Sequence, residues 1–172
     1  MRIQFNDNHN KTGIEGWYEI KDNKLIVYIK PTNSWEDWIS DFIAIPWYSS
    51  LACYHIHRGF KEYSRWMYEF VINKKIDPEN TYIFGYSMGG GIAQILGEFN
   101  HRFNIISIDG PRTTTVLRNE KSILYYNRGS LVHAIPFWFK KIKNRVILNK
   151  KWRWFWKSHA DYDIDKIIGR IL

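Results

Sequence analysis

The sequence of 172 residues has a single cysteine, Cys53, and no long apolar run. One cysteine makes no disulfide within the chain and no cysteine-based metal cluster, which excludes a disulfide-stapled fold and a zinc finger. No segment approaches the roughly 18 to 20 consecutive apolar residues of a membrane span, and residues 1–6 lack the apolar stretch of a signal peptide. We therefore expect a soluble cytoplasmic protein with no metal and no other cofactor.

Glycine and proline are sparse, with 11 and 5 residues, whereas 45% of the residues are hydrophobic and 17% are aromatic. This composition is typical of a globular chain and excludes an intrinsically disordered one. The length fits one domain with a single core, which we expect to span residues 1–172.

One segment lacks acidic residues altogether. Residues 137–157 contain no Asp or Glu and hold eight Lys and Arg residues. Because the whole chain has 25 Lys and Arg against 17 Asp and Glu, these eight account for the formal net charge of +8 and leave the rest of the chain neutral. Trp and Phe are interleaved with the cations, a mixture that anionic membrane interfaces and nucleic acids both attract.

Apolar periodicity predicts the secondary structure. The predicted strands are 14–20, 25–30, 43–46, 53–56, 81–84, 104–108 and 123–126. The predicted helices are 34–42, 59–76, 89–99 and 164–172. The alternation of strand and helix predicts an α/β fold with a mostly parallel sheet, an antiparallel entry hairpin and helices on both faces.

A G-x-S-x-G motif carries the chemistry. Ser87 lies between Gly85 and Gly89, after a predicted strand and before a predicted helix, which is the context that this motif requires. The glycines let neighbouring backbone pass close to a sharp turn that exposes the serine hydroxyl. The helix N-terminus and the Met88 N–H then lie beside the hydroxyl, where they can hold an oxyanion. A glycine-rich turn with an idle serine is the plainer interpretation.

An activated serine needs a base, and three histidines follow Ser87 in the chain: His101, His133 and His159. In α/β hydrolases the order is serine, acid, histidine, with the histidine after the last strand. His159 lies just before the predicted terminal helix and is our candidate base. His101 is interpreted as a surface residue, and His133 as a lining or surface residue.

Six blocks of the sequence, in order, resemble the class 3 lipases, the α/β hydrolases that include the fungal triacylglycerol lipases. Three blocks match a "GT…DW…D" block, an H-x-G-F block and the G-x-S-x-G-G elbow. Three more match "G-S-P-R", "V-x-x-L-P" and the terminal H-x-x-Y. In this chain the six blocks are 31–41, 57–60, 85–90, 109–112, 132–136 and 159–162.

The resemblance implies that Ser87 is the nucleophile and His159 the base. It also implies that Met88 and Thr32 donate their backbone N–H groups to the oxyanion, and the Thr32 hydroxyl can add to them. Pro31 departs from the pattern, because the family has glycine there.

A second departure concerns the acid of the triad. Ser130 stands where the family has its aspartate, and no carboxylate occurs between Glu120 and Asp161. Asp109 is the replacement that we predict: it ends the strand after the nucleophile helix, and pancreatic-type lipases are known to carry their acid at that alternative place. Ser130 could instead orient the imidazole through its hydroxyl, or a bare dyad could act. Asp161 is geometrically poor because it lies only two residues from His159.

The aromatic residues of the basic segment have two interpretations. If residues 152–156 form a strand, three indoles share one face and either pack on the sheet or meet a membrane. The interfacial interpretation assigns contact with an anionic membrane or with the substrate to six residues: Trp138, Lys140, Lys141, Trp152, Trp154 and Trp156.

These features predict a serine ester hydrolase of the lipase or esterase type that works through an acyl-enzyme on carboxylic, lipid-like esters. A thioesterase, acyltransferase or peptidase is an alternative within the enzymes. A different class of function is a catalytically weak hydrolase-fold protein that binds a membrane or nucleic acid through its basic aromatic segment. Nucleic acid is the less favoured of these two partners.

Overall fold

The computed structural model describes residues 1–6, 14–30, 46–148 and 162–172. In these ranges the strands are β1 (Ile3–Asn6), β2 (Glu15–Lys21), β3 (Lys24–Ile29), β4 (Pro46–Ser49), β5 (Tyr54–His57), β6 (Thr81–Tyr86), β7 (Asn104–Ile108), β8 (Ile123–Tyr126) and β9 (Asn144–Ile147). The α-helices are α1 (Lys61–Ile72), α2 (Met88–Phe99) and α3 (Ile164–Ile171). The predicted helix at 34–42 lies outside the described residues, as does most of the predicted strand at 43–46.

The main sheet has the strand order β1-β2-β3-β6-β7-β8-β9. Strand β2 pairs antiparallel with β1 and with β3. The pairs β3–β6, β6–β7, β7–β8 and β8–β9 are parallel. Asp22 and Asn23 connect β2 to β3 with φ angles of 50° and 58°. Two residues at positive φ form the turn that matches strand twist in a hairpin, and Asp and Asn tolerate this conformation. The predicted parallel sheet with an antiparallel entry hairpin is confirmed.

Strand β5 does not join the main sheet, although it precedes α1 in the strand–helix alternation. It pairs with β4 in a separate two-stranded antiparallel sheet. The neighbour of β6 is instead β3, with Leu25 opposite Thr81 and Ile29 opposite Gly85. The entry hairpin is thereby joined directly to the strand that leads to Ser87.

Both faces of the parallel strands are buried, because helices cover both. On one face Ile83 packs in a cluster with Met67 of α1 and Ile92 of α2. On the other face Phe84 packs in a second cluster with Ile167 of α3. Neighbouring residues of β6 thus serve opposite cores, as the pleat of a strand requires. The predicted placement of helices on both faces is confirmed.

Helix α1 is shorter than the predicted helix over 59–76. Residues 58–60 form a 3-10 turn before it, and the helix ends at Ile72 with Asn73 as its C-cap. Lys75 has a φ of 56°, a left-handed conformation that a helix does not accommodate. The apolar pattern therefore continues past the point at which the backbone leaves the helix.

The two connections between the last three strands, 109–122 and 127–143, contain no α-helix. Polar contacts fix them instead. The buried Glu98 carboxylate of α2 accepts hydrogen bonds from the backbone N–H of Arg118, at 3.0 and 3.1 Å, and of Asn119, at 3.1 Å. The Lys140 N–H donates to the Thr114 carbonyl at 2.8 Å, which joins the two connections.

In the described part of the chain, none of the helices is both long and apolar enough to cross a membrane.

Candidate active site

Ser87 forms the whole turn between β6, which ends at Tyr86, and α2, which begins at Met88. Its φ and ψ are 54° and −120°, outside the regions that residues other than glycine ordinarily occupy. Such a conformation costs on the order of 1–3 kcal/mol and persists only where the surroundings enforce it. The Ser87 N–H donates to the carbonyl of Ile108 at 2.9 Å, which ties the turn to the end of β7. The predicted strand–serine–helix context is confirmed.

The two glycines of the motif are required by close backbone approach. A Cβ on Gly85 would lie 2.0 Å from the carbonyl oxygen of Gly89, and a Cβ on Gly89 would lie 2.4 Å from the carbonyl oxygen of Ile29. Real Cβ atoms do not approach backbone atoms so closely. The first turn of α2 is therefore pressed against β3 and β6, and this packing positions Ser87.

The N-terminus of α2 lies directly after Ser87, and its first turn contains no acidic side chain. The first N–H groups of a helix have no partner within the helix, and this end carries a partial positive charge. Met88 contributes the first of these N–H groups, and its oxyanion role stays a prediction. Thr32, the other predicted donor, lies outside the described residues, as does Pro31.

Asp109 follows β7 directly and is completely buried. Its φ is 47°, and its N–H donates to the carbonyl of Tyr125 at 2.8 Å. The carboxyl ends of adjacent parallel strands meet at one edge of a sheet, so Asp109 after β7 and Ser87 after β6 share that edge. This is the placement expected from the sequence for the replacement acid.

The Asp109 carboxylate has two side-chain partners in the loop after β8. The Ser130 hydroxyl donates to Oδ2, and Nδ1 of His133 lies 3.2 Å from Oδ1. Ser130, which stands at the family's aspartate position, therefore contacts the Asp109 carboxylate. The sequence posed Asp109 and Ser130 as alternatives, whereas the structure joins them in one hydrogen-bonded cluster.

His133 is more buried than a surface residue, and its contact with Asp109 was not predicted. Its side chain is 13% exposed, and its ring lies 4.2 Å from the ring of Tyr126, centroid to centroid. It also lines a cavity of about 500 Å³ together with Arg128 and Ile147, so the lining interpretation is confirmed. The spacing of the sequence carries no signal for the contact, because it depends on the path of a connection whose only helical element among the described residues is the 3-10 turn Val132–Ala134.

Tyr162 is a further residue close to Asp109. Burial raises the pKa of its phenol, and the negative charge of Asp109 raises that pKa further. The Tyr162 oxygen accepts a hydrogen bond from the Asn127 N–H at 2.9 Å, which anchors the start of the terminal segment to the end of β8. Tyr162 belongs to the predicted H-x-x-Y block, whose histidine, His159, lies outside the described residues.

The residues assigned to an interface do not all lie near Ser87. Trp138 is 50% exposed and its neighbour Phe137 is 76% exposed. Lys140 and Lys141 are exposed before the start of β9, at the end of the sheet opposite to Ser87. Trp152, Trp154 and Trp156 lie outside the described residues.

No protein-family sequence model matches the chain, and no curated protein matches its sequence. Solved structures do match its fold. The Lip2 lipase from Yarrowia lipolytica has a TM-score of 0.67 at 18% identity, over 86% of this chain and 67% of that one. Lipase II from Rhizopus niveus has a TM-score of 0.63 at 16% identity, over 78% and 59%. The mono- and diacylglycerol lipase from Aspergillus oryzae has 0.61 at 16%, over 78% and 56%.

At these identities the likeness establishes the fold alone. The chain has the α/β-hydrolase-like fold of these fungal lipases, as its sequence blocks implied. It spans between 56% and 67% of the length of the three lipases.

The glycine packing generates a prediction with a matched control. Gly85→Ala places a Cβ against the Gly89 carbonyl and is expected to lower the free energy of unfolding by about 3 kcal/mol. Gly169→Ala, in α3, meets nothing within 4 Å and should raise it by about 0.5 kcal/mol, because alanine favours the helix. Urea denaturation followed by circular dichroism measures both. Equal stabilities of the two variants would contradict the packing at the Ser87 turn.

Proposed function

We propose that the protein is a serine ester hydrolase of the lipase type, in which Ser87 forms an acyl-enzyme with a carboxylic ester. The observation that carries the proposal is the strained conformation of Ser87, held alone between β6 and α2 by the packing of Gly85 and Gly89. Strain that the surrounding structure enforces is characteristic of functional positions. A glycine-rich turn with an idle serine gives no reason to maintain this conformation.

The proposed reaction has two halves. The Ser87 hydroxyl attacks the ester carbonyl carbon while the base removes its proton, and the carbonyl oxygen becomes an oxyanion. The N–H of Met88 at the start of α2, together with Thr32, stabilises that oxyanion. The tetrahedral intermediate expels the alcohol, which takes the proton from the base, and leaves the acyl group on Ser87. Water then repeats the sequence and releases the carboxylic acid.

Asp109 is the proposed acid of the triad. It is buried at the same sheet edge as Ser87, and the Ser130 hydroxyl donates to its carboxylate. A buried carboxylate with a hydrogen-bond donor remains ionised at lower cost than an unpartnered one. An anion at this position orients an imidazole in the correct tautomer and offsets the positive charge that develops on it. Ser130 is therefore proposed to orient the acid rather than to replace it.

His159 is the proposed base. Tyr162, three residues later in the chain, has its phenol pKa raised by burial and then by the Asp109 charge, and it is anchored on Asn127. Three residues span at most about 11 Å of extended chain, so the covalent connection keeps His159 within reach of this edge. This supports the role that the family resemblance implies for His159.

His133 is the second candidate for the base. Its Nδ1 lies 3.2 Å from the Asp109 carboxylate, which is the contact that the acid of a triad makes with its histidine. The alternative retains Asp109 and Ser87 in their roles and changes only the residue that accepts the serine proton.

The proposed substrates are lipid-like carboxylic esters. The similar folds include a lipase from Yarrowia lipolytica and a mono- and diacylglycerol lipase from Aspergillus oryzae. We propose the same class of substrate for this chain and its membership of the class 3 lipases. The exposed Phe137 and Trp138 are proposed to contact an anionic membrane that presents the substrate, whereas Lys140 and Lys141 lie at the opposite end of the sheet and are not part of this contact.

The nucleophile is tested by labelling. A fluorophosphonate should modify the wild-type protein at Ser87, and Ser87→Ala should abolish both the labelling and the hydrolysis of a nitrophenyl ester. Ser64→Ala is the matched control, since Ser64 is a buried serine of α1 whose hydroxyl has no hydrogen-bond partner in the described structure. Labelling that persists in Ser87→Ala would refute the assignment. An unlabelled but folded wild-type protein would favour the binding-protein alternative.

The base is tested with two histidine variants. We expect His159→Ala to lower kcat by at least about 10³-fold, because this variant removes the proposed base, and His133→Ala to lower it by less than about tenfold. Because residues of one triad act as a unit, adding Asp109→Asn to His159→Ala should cause little further loss of kcat for a soluble ester. The reverse order of the two single variants would assign the base to His133. An undiminished kcat in Asp109→Asn, with the fold retained, would exclude Asp109 as the acid.

The membrane contact is tested with exposed aromatic residues. The Phe137→Ser/Trp138→Ser variant should bind anionic phosphatidylserine vesicles more weakly, because it removes two side chains suited to the headgroup level. The matched control is Tyr48→Ser/Leu51→Ser, which removes two exposed apolar side chains elsewhere. Sedimentation with vesicles at several salt concentrations measures both. Equal losses in the two variants would mean that the 137–138 pair has no specific role at the membrane.

A further inference from the structure

A second cavity, of about 770 Å³, opens at the end of the sheet opposite to Ser87. It lies between the segment that leads into β8 and the segment that leads into β9. Its lining comprises residues 115–120, Ser122 and residues 140–144. Because β8 and β9 run parallel to β6, their first residues lie at the end of the sheet away from the candidate active site. We call this cavity the basic cleft.

The charge of the basic cleft is strongly unbalanced. Four cationic side chains belong to its lining: Arg118, Lys140, Lys141 and Lys143. Glu120 is the one acidic residue of the lining. None of the ion pairs among the described residues joins a carboxylate to these four cations. Lys121, which follows Glu120 in the chain, does have an ion-pair partner: it pairs with Glu79, outside the cleft.

The walls of the basic cleft are fixed in advance. The Asn144 side-chain amide donates to the Glu120 carbonyl at 3.0 Å, which connects one wall to the other. The buried Glu98 holds the backbone of Arg118 and Asn119, as described above. The guanidinium of Arg118 also lies 5.3 Å from the ring centroid of Tyr54. The cations are thus carried on connected backbone, which lowers the ordering cost of binding.

Ser122 lies in the wall of the basic cleft with an unpartnered hydroxyl. It is 3% exposed, lines the basic cleft, and its hydroxyl makes no hydrogen bond to any residue that the structure describes. A buried polar group without a partner costs about 1–3 kcal/mol, and such groups usually have one. The hydroxyl oxygen is closed to solvent, so it lies behind the surface of the cleft and not in contact with its contents.

We propose that the basic cleft binds a small organic phosphate monoester. A surplus of three positive charges favours the dianion of a monoester over a carboxylate with a single charge. Val116, Leu117 and Ile142 give the same lining an apolar part, which suits the organic portion of the ligand. A concave site with its charges in one cluster fits a compact anion better than the extended backbone of a nucleic acid. This proposal is independent of the chemistry proposed for Ser87.

Three probes separate the charge from the apolar contact. Hexyl phosphate has a dianionic head and a tail, hexanoate keeps a similar tail with a single charge, and inorganic phosphate has no tail. Isothermal titration with the full chain should give hexyl phosphate the lowest Kd, at least about tenfold below that of either other probe, since both contacts contribute. Amide shifts in NMR spectra should be confined to residues 115–122 and 140–144.

Variants locate the binding. The Lys140→Gln/Lys143→Gln variant should raise the Kd for hexyl phosphate at least about tenfold, because it removes two of the four cations of the cleft. The Lys21→Gln/Lys75→Gln variant removes the same charge from exposed positions on other elements and should leave the Kd within about twofold.

Four results would overturn the proposal. The first two are equal affinities of the two lysine variants for hexyl phosphate and a Kd for hexanoate as low as that for hexyl phosphate. The third is amide shifts outside the basic cleft. The fourth is binding of a single-stranded oligonucleotide to the basic cleft that hexyl phosphate does not displace. The amide shifts of the wild-type protein decide the matter if a variant fails to fold. None of these measurements requires an active Ser87, so they are unaffected by failure of the proposed hydrolase activity.

Discussion

The close approach of the first turn of α2 to β3 and β6 determines the geometry of the candidate active site. At Gly85 and Gly89 the backbones come so near that no side chain fits between them. That contact leaves one residue, Ser87, to reverse the chain direction, and it does so at a φ of 54°. The Ser87 N–H then bonds to the end of β7, so the position of the turn relative to Asp109 is also fixed.

The second element of the candidate site is a buried charge whose surroundings are polar. A fully buried carboxylate is unfavourable without donors, and Asp109 has Ser130 and His133 next to it. Both come from a single connection, 127–143, that returns to the opposite end of the sheet without an α-helix. The same loop continues to the lysines of the basic cleft. One connection without an α-helix thus contributes to two separate polar sites, one at each end of the sheet.

Much of the fold is predictable because each face of the sheet has its own hydrophobic pattern. The hairpin 14–30, the strands 104–108 and 123–126 and the helix that follows Ser87 are predicted nearly to the residue. Local pattern does not reveal that β5 pairs with β4 outside the main sheet, since pairing partners depend on distant segments. Strand β1 was not predicted, because a pattern of four residues is too short to distinguish a strand from a loop.

The candidate site is predictable only where a local rule fixes the backbone. Glycine spacing between a strand and a helix places Ser87, and strand order places Asp109 at the same edge. The link from Ser130 to Asp109 joins two interpretations that the sequence kept apart. The approach of His133 to Asp109 spans 24 positions in the chain and follows from the route of an irregular loop, for which the sequence contains no periodic signal.

Among the described strands, β9 forms one edge of the main sheet, and all four of its residues are exposed. Val146 and Ile147 are 39% and 42% exposed, so this edge combines apolar side chains with backbone groups of the kind that pair with another strand. Lys143 precedes the strand and Arg145 lies within it, and like charges repel an identical edge brought alongside. The positive charge beside β9 therefore disfavours pairing between the β9 edges of two copies of the chain, and with it aggregation through this edge.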